Sequence, residues 1–124
     1  MKKVLLIALL NMLAFSQVTY CKIIEYNKGN DTVELYKTLT QNKKIIVEFY
    51  SPTCEPCKRM SITLNEIQDK IKYDIIKINY RKYNNISELY DINSVPRIIV
   101  FENGKPTKQI RGAWDNKYLI ENLK

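Results

Sequence analysis

Hydrophobic and polar positions alternate along this chain in short blocks whose period keeps changing. Ile45 to Tyr50 is a nearly continuous apolar run rich in β-branched residues, the pattern of a strand buried on both faces of a sheet. Asp74 to Asn79 and Arg97 to Phe101 repeat that pattern, and Lys22 to Tyr26 is a shorter alternating segment suited to an edge strand. Between these blocks the period becomes helical. Asn30 or Asp31 can cap a helix reaching Gln41, with Val33, Leu35, Tyr36 and Leu39 as its apolar positions. Met60, Leu64, Ile67 and Ile71 recur at helical spacing, and Ile86 to Tyr90 suits a short helix. Glu102-Asn103-Gly104-Lys105 reads as a hairpin turn that returns Thr107 to Arg111 antiparallel. Gly112 ends that strand, and Asp115 can cap a last helix through Leu123. The predicted order is βαβαβαββα: one α/β domain, with a central mixed sheet covered by helices on both faces.

The N-terminal block differs. Lys2 and Lys3 precede an apolar run from Val4 to Leu10, continued by Met12, Leu13, Ala14 and Phe15 and interrupted by Asn11. The run is shorter than the roughly 18–20 apolar residues of a spanning helix, so it reads as a secretory signal peptide. Ala14-Phe15-Ser16 offers cleavage after Ser16, and Thr19-Tyr20-Cys21 offers cleavage after Cys21. Residues 1–21 are thus assigned to the leader and 22–124 to the domain. An uncleaved leader would be the only membrane attachment. Bulky Tyr20 is a poor residue before a lipidated cysteine. The expected location is periplasmic, secreted or within the secretory pathway, where disulfides persist.

Composition narrows the chemistry. The chain has 124 residues and a net charge of +7, which falls to about +5 when Lys2 and Lys3 leave with the leader. The basic residues are scattered, without a run of like charges, so no nucleic-acid partner is expected. There is no histidine, which removes imidazole catalysis and histidine metal ligands. Three cysteines fall short of the four ligands of a zinc site, so no metal and no cofactor is expected within one chain.

Two of those cysteines carry the candidate chemistry. Val47 to Met60 reads VEFYSPTCEPCKRM: strand, turn, then Cys54 and Cys57 in a C-x-x-C that opens a helix. Unpaired N–H groups and the helix dipole favour an anion at that end. A thiolate is the attacking species in disulfide exchange, so Cys54 is the candidate nucleophile and Cys57 the resolving thiol behind it. A purely structural bridge here would close too small a loop to stabilise much.

The chain resembles the thioredoxin family from Lys22 to Lys124. The C-x-x-C stands after a central strand, and further features fall in the family's order. Glu48 lies six residues before Cys54, where the family carries a buried acid. Val95-Pro96 occupies the place of the hydrophobic residue and cis-proline that face the cysteines. Phe101 to Lys105 matches the family's hairpin, and Gly112 the glycine at the rim of the substrate groove. The resemblance implies a thioredoxin fold and a thiol–disulfide oxidoreductase that uses only its own dithiol. Glu48 would accept the proton of Cys57, with its pKa raised by burial. Lys77 would either moderate that shift or reach to water. Val95, Thr53, Glu55, Pro56, Arg97 and Gly112 would line the substrate groove. Expected partners are disulfide-containing proteins and a redox protein that resets the pair, met by a monomer.

The chain departs from the family pattern at several places. Thr53 replaces a tryptophan, Glu55 a glycine, Ile62 a helix-kinking proline and Arg97 a small polar residue, while Glu48 is an aspartate in many members. Glu55 and Arg97 are both expected to be exposed near Cys54, with opposite effects on its pKa. Pro56 retains the proline of the family's reducing motif, which favours reduction over oxidation. The alternative of a different class is an interaction or chaperone-like subunit with little turnover. The flanking Thr53 suits that alternative, and the retained cysteines argue against it.

Overall fold

The computed structural model describes residues 21–124; the expected leader, except Cys21, lies outside the described residues. The elements are β1 (Ile23–Glu25), α1 (Thr32–Gln41), β2 (Lys44–Tyr50), α2 (Glu55–Glu66), a 3-10 turn (Gln68–Lys70), β3 (Ile75–Asn79), α3 (Asn84–Leu89), β4 (Arg97–Glu102), β5 (Lys105–Arg111) and α4 (Asn116–Leu123). They form one five-stranded sheet in the order β1-β3-β2-β4-β5. β1, β3 and β2 run parallel, and β4 and β5 add to the β2 side antiparallel. This is the predicted element order, with β2 central and β1 on an edge.

Strand alternation divides the core into two layers. Val47, Phe49, Ile76, Ile78, Ile99 and Phe101 pack with Leu35 and Leu39 of α1 and Ile86 of α3. Ile46, Ile75, Ile98, Val100 and Ile110 pack with Met60 and Leu64 of α2 and with Leu119 and Leu123 of α4. The stripe expected on α1 is narrower than its sequence suggests. Leu35 and Leu39 are fully buried, whereas Val33 and Tyr36 face solvent. Consecutive apolar residues point in different directions on a helix that meets the sheet along one line.

The helix starts follow the capping rules. Asp31 Oδ1 accepts from the Val33 N–H at 2.9 Å, and Asp115 Oδ1 from the Tyr118 N–H at 2.9 Å. The hairpin turns through Asn103 and Gly104, with φ of 51° and 80°. A Cβ on Gly104 would sit 2.7 Å from Thr40 Cγ2. Gly104→Ala is therefore expected to cost about 1–3 kcal/mol. Urea unfolding should show a lower midpoint with an unchanged slope.

Candidate active site

The chain makes a tight turn after β2 and enters α2 through Cys54. The Cys54 N–H donates to the Ser51 carbonyl at 3.3 Å. Cys54 is the N-cap of α2, with Pro56 inside the first turn, where its missing N–H costs nothing. Cys54 and Cys57 are joined in a disulfide with their Cα atoms 5.2 Å apart. The Cys57 N–H donates to Cys54 Sγ at 3.2 Å. In the dithiol state that same donor is available to a Cys54 thiolate. Cys54 is half-buried, while Cys57 is only 3% exposed. The accessible sulfur is therefore the one at the helix end.

Val95 and Pro96 face the pair from the start of β4. The Val95–Pro96 peptide is cis, as the resemblance implied. The Val95 carbonyl oxygen lies 3.7 Å from Cys54 Sγ. The Gly112 N–H donates to the Pro96 carbonyl at 2.9 Å, and Gly112 takes a φ of 82°, tying the end of β5 to the same loop. Val95 and Gly112 remain partly exposed beside Cys54, and Thr53 is exposed in front of it.

Glu48 belongs to the same face of β2 as Ile46, the face covered by α2. It is fully buried, and neither carboxylate oxygen has a hydrogen-bond partner. Burial raises its pKa from 4.5 to about 7; Lys77 pulls it back and Glu25 pushes it further up. Lys77 is the Glu48 register partner on β3. Its ammonium donates to Ser61 Oγ of α2 at 3.2 Å and lies 4.6 Å from the centre of the Tyr50 ring. The first expectation for Lys77 is met, since its field lowers the Glu48 pKa, while its ammonium is taken by Ser61 and the Tyr50 ring. Tyr50 in turn donates to the Glu25 carboxylate, a link between β2 and β1 that no sequence pattern announced. Lys77, Ser61, Tyr50 and Cys57 line a common cleft of about 130 Å³. The cleft sets the resolving cysteine beside Ser61 and Lys77, the register partner of Glu48, while Glu48 itself lies beneath and does not line it.

One expectation is met and one is corrected. Glu55 is exposed, as expected, but its carboxylate is bound to Lys58 Nζ at 2.8 Å. The Lys58 hydrogen bond and charge hold its pKa below the usual glutamate value. The pair is exposed to solvent, so it offsets only part of the Glu55 charge. Arg97 is not exposed at all: it is 2% accessible. It pairs with Phe49 on β2 and shares the face of Ile99, opposite the face that carries Glu48, and the Asp91–Ser94 loop closes over it. A guanidinium spent on that loop is not a free charge at the cysteines.

Cys21, the third cysteine, is 1% exposed. Burial, with Asp74 nearby, pushes its pKa up to about 11. It is thus set apart from the partly accessible helix-end sulfur of Cys54. Among the described residues no group of acidic or cysteine side chains is placed to hold a metal ion.

A strand-borne buried acid, a helix-end disulfide and a facing cis-proline loop define a thiol–disulfide redox centre on an α/β sheet. The thioredoxin family profile matches residues 23–124, and the chain belongs to that family. It is 36% identical over 83 residues to the chloroplastic thioredoxin Y of Oryza sativa subsp. japonica, a match covering 65% of this chain and 49% of that protein. It is 37% identical over 92 residues to thioredoxin of Mycoplasmoides gallisepticum, covering 73% of this chain and 92% of that one. The solution structure of oxidised thioredoxin from Plasmodium falciparum superposes with a TM-score of 0.66 at 30% identity, covering 82% of this chain and 96% of that one.

Proposed function

We propose that this thioredoxin-family protein reduces or exchanges protein disulfides outside the cytoplasm. The observation that carries the redox part is the asymmetry of the pair: an accessible Cys54 sulfur at a helix N-terminus and a shielded Cys57 behind it. In the dithiol form, the Cys54 thiolate attacks one sulfur of a substrate disulfide. The Cys54–substrate bond forms, and the substrate's other sulfur leaves as a thiolate that takes up a proton. Cys57 then loses its proton, with the buried Glu48 as acceptor, and attacks Cys54 Sγ. The substrate's second sulfur leaves, and Cys54–Cys57 closes. Two electrons have passed to the substrate, and a dithiol partner returns them to the pair. The Val95 backbone beside Cys54 is the edge along which an extended substrate segment would pair.

One feature supports the location and a second the cleavage site. Residues 4–15 have the composition of a leader, and Cys21 is packed in the core with its carbonyl accepting from Gln68 Nε2 at 2.7 Å. Cleavage after Ser16 keeps that contact, whereas cleavage after Cys21 removes it. N-terminal sequencing of the exported protein should accordingly begin at Gln17.

The activity is tested by insulin reduction with dithiothreitol. The protein should accelerate it well above the reductant alone, and Cys54→Ser should return it to background. No acceleration by the unaltered protein would leave the alternative of a binding subunit.

A further inference from the structure

Arg97 is the one buried cation among the described residues, and it has no carboxylate within ion-pairing distance there. Burying a charge without a counter-charge is costly, so its remaining interactions must hold it. They all go to one loop. One terminal nitrogen donates to the Asp91 carbonyl at 2.9 Å; the other donates to Asn93 Oδ1 and to Ser94 Oγ, each at 2.9 Å. Nε has no partner. Burial and the neighbouring Arg111 lower the Arg97 pKa, while Asp91 opposes them.

The loop so gripped is unusual in its backbone. Asp91 takes a φ of 52°, a left-handed conformation seldom used by residues other than glycine. Directly after Ser94 comes Val95, whose carbonyl lies 3.7 Å from Cys54 Sγ, and then Pro96, whose carbonyl receives the Gly112 N–H. The neighbours of Arg97 on this face are apolar, Phe49 and Ile99 among them. An apolar side chain would fill the space but would leave the loop acceptors unbound.

We propose that Arg97 is a positioning residue for substrate binding: its guanidinium braces the Asp91–Ser94 loop and so fixes the Val95 backbone against Cys54. It touches neither sulfur. It sets the geometry in which an extended disulfide-bearing segment is received. This rests on the reading that the protein turns over protein disulfides.

The test is steady-state insulin reduction by the full chain together with amide hydrogen exchange. Arg97→Met should raise KM for insulin about tenfold, the size of one lost charge-assisted hydrogen bond, while kcat moves less than about twofold. Arg97→Lys, with one donor group instead of a fork, should fall between. Exchange should quicken at the Ile92 amide, bound to the Ser87 carbonyl, and at the Gly112 amide, bound to Pro96. The double variant Asn93→Ala/Ser94→Ala removes acceptors at exposed positions and should reproduce both signatures. It decides the matter if Arg97→Met does not fold. An unchanged KM with unchanged exchange, or a fall in kcat at constant KM, overturns the proposal. If the unaltered protein itself shows no turnover, the functional reading fails, and the exchange rates at Ile92 and Gly112 still decide whether Arg97 braces the loop.

Discussion

Replacing Cys57 with serine is expected to halt turnover and leave substrate covalently attached through Cys54. The first step needs only the accessible sulfur at the start of α2, which the substitution leaves in place. The second needs a thiol behind it, and a serine hydroxyl is far too weak an acid to supply a nucleophile. Turnover should drop to the background rate. Non-reducing gels should show a complex that dithiothreitol dissolves and that carries substrate and protein in equal amounts. Cys54→Ser should form none. The asymmetry also orders the labelling: in the reduced protein at mildly acidic pH, an alkylating agent should modify Cys54 before Cys57. A complex held through Cys57, or prior labelling of Cys57, would reverse the two roles.

The second large effect concerns Glu48. Its folded-state pKa is raised from 4.5 to about 7. Below pH 4.5 the carboxyl is protonated in folded and unfolded chains alike, and it imposes no penalty. Between these values the folded protein holds a proton that the unfolded chain releases, so stability falls as pH rises. Above pH 7 both forms are ionised and the loss is constant, about 3 kcal/mol for a shift of this size. Oxidised protein should therefore lose stability between pH 4 and pH 8 through this group. Glu48→Gln should be flatter across that window. The buried amide carries its own unmet hydrogen bonds, but that cost does not vary with pH. Urea unfolding at several pH values measures the slope, and equal slopes for the two proteins would remove the buried acid from the account. In turnover, Glu48→Gln should slow the resolving step by about a hundredfold and leave the first attack nearly unchanged.

The element order was legible because burial writes its period into a sequence. Ile45 to Phe49 could hardly be anything but a two-sided strand, and the alternation around Glu48 places its carboxylate under α2. The capping acids and the Asn-Gly turn were equally plain, since local backbone chemistry demands them. Arg97 was not legible. Its burial depends on a loop from elsewhere folding over the strand end, and a cation beside a proline gives no local hint of that. The Tyr50–Glu25 link was hidden for a similar reason: it joins segments that only the β1-β3-β2 order brings close. The stack of Trp114 on Tyr118, with ring centres 4.2 Å apart, likewise depends on how the chain enters α4.

The sealed position of Cys21 bears on how such a protein survives its own chemistry. A molecule that makes and breaks sulfur bonds is exposed to every thiol it carries. With an odd number of cysteines, a spare one could capture Cys54 or Cys57, or couple two copies together, and withdraw the molecule from the cycle. Here the spare sulfur is shut away by Ile23, Ile71 and their neighbours, and its proton is held to about pH 11. It is thus denied both access and charge, the two things sulfur exchange requires. Loosening that corner, for instance with Ile71→Ala, would free a third player in a game built for two.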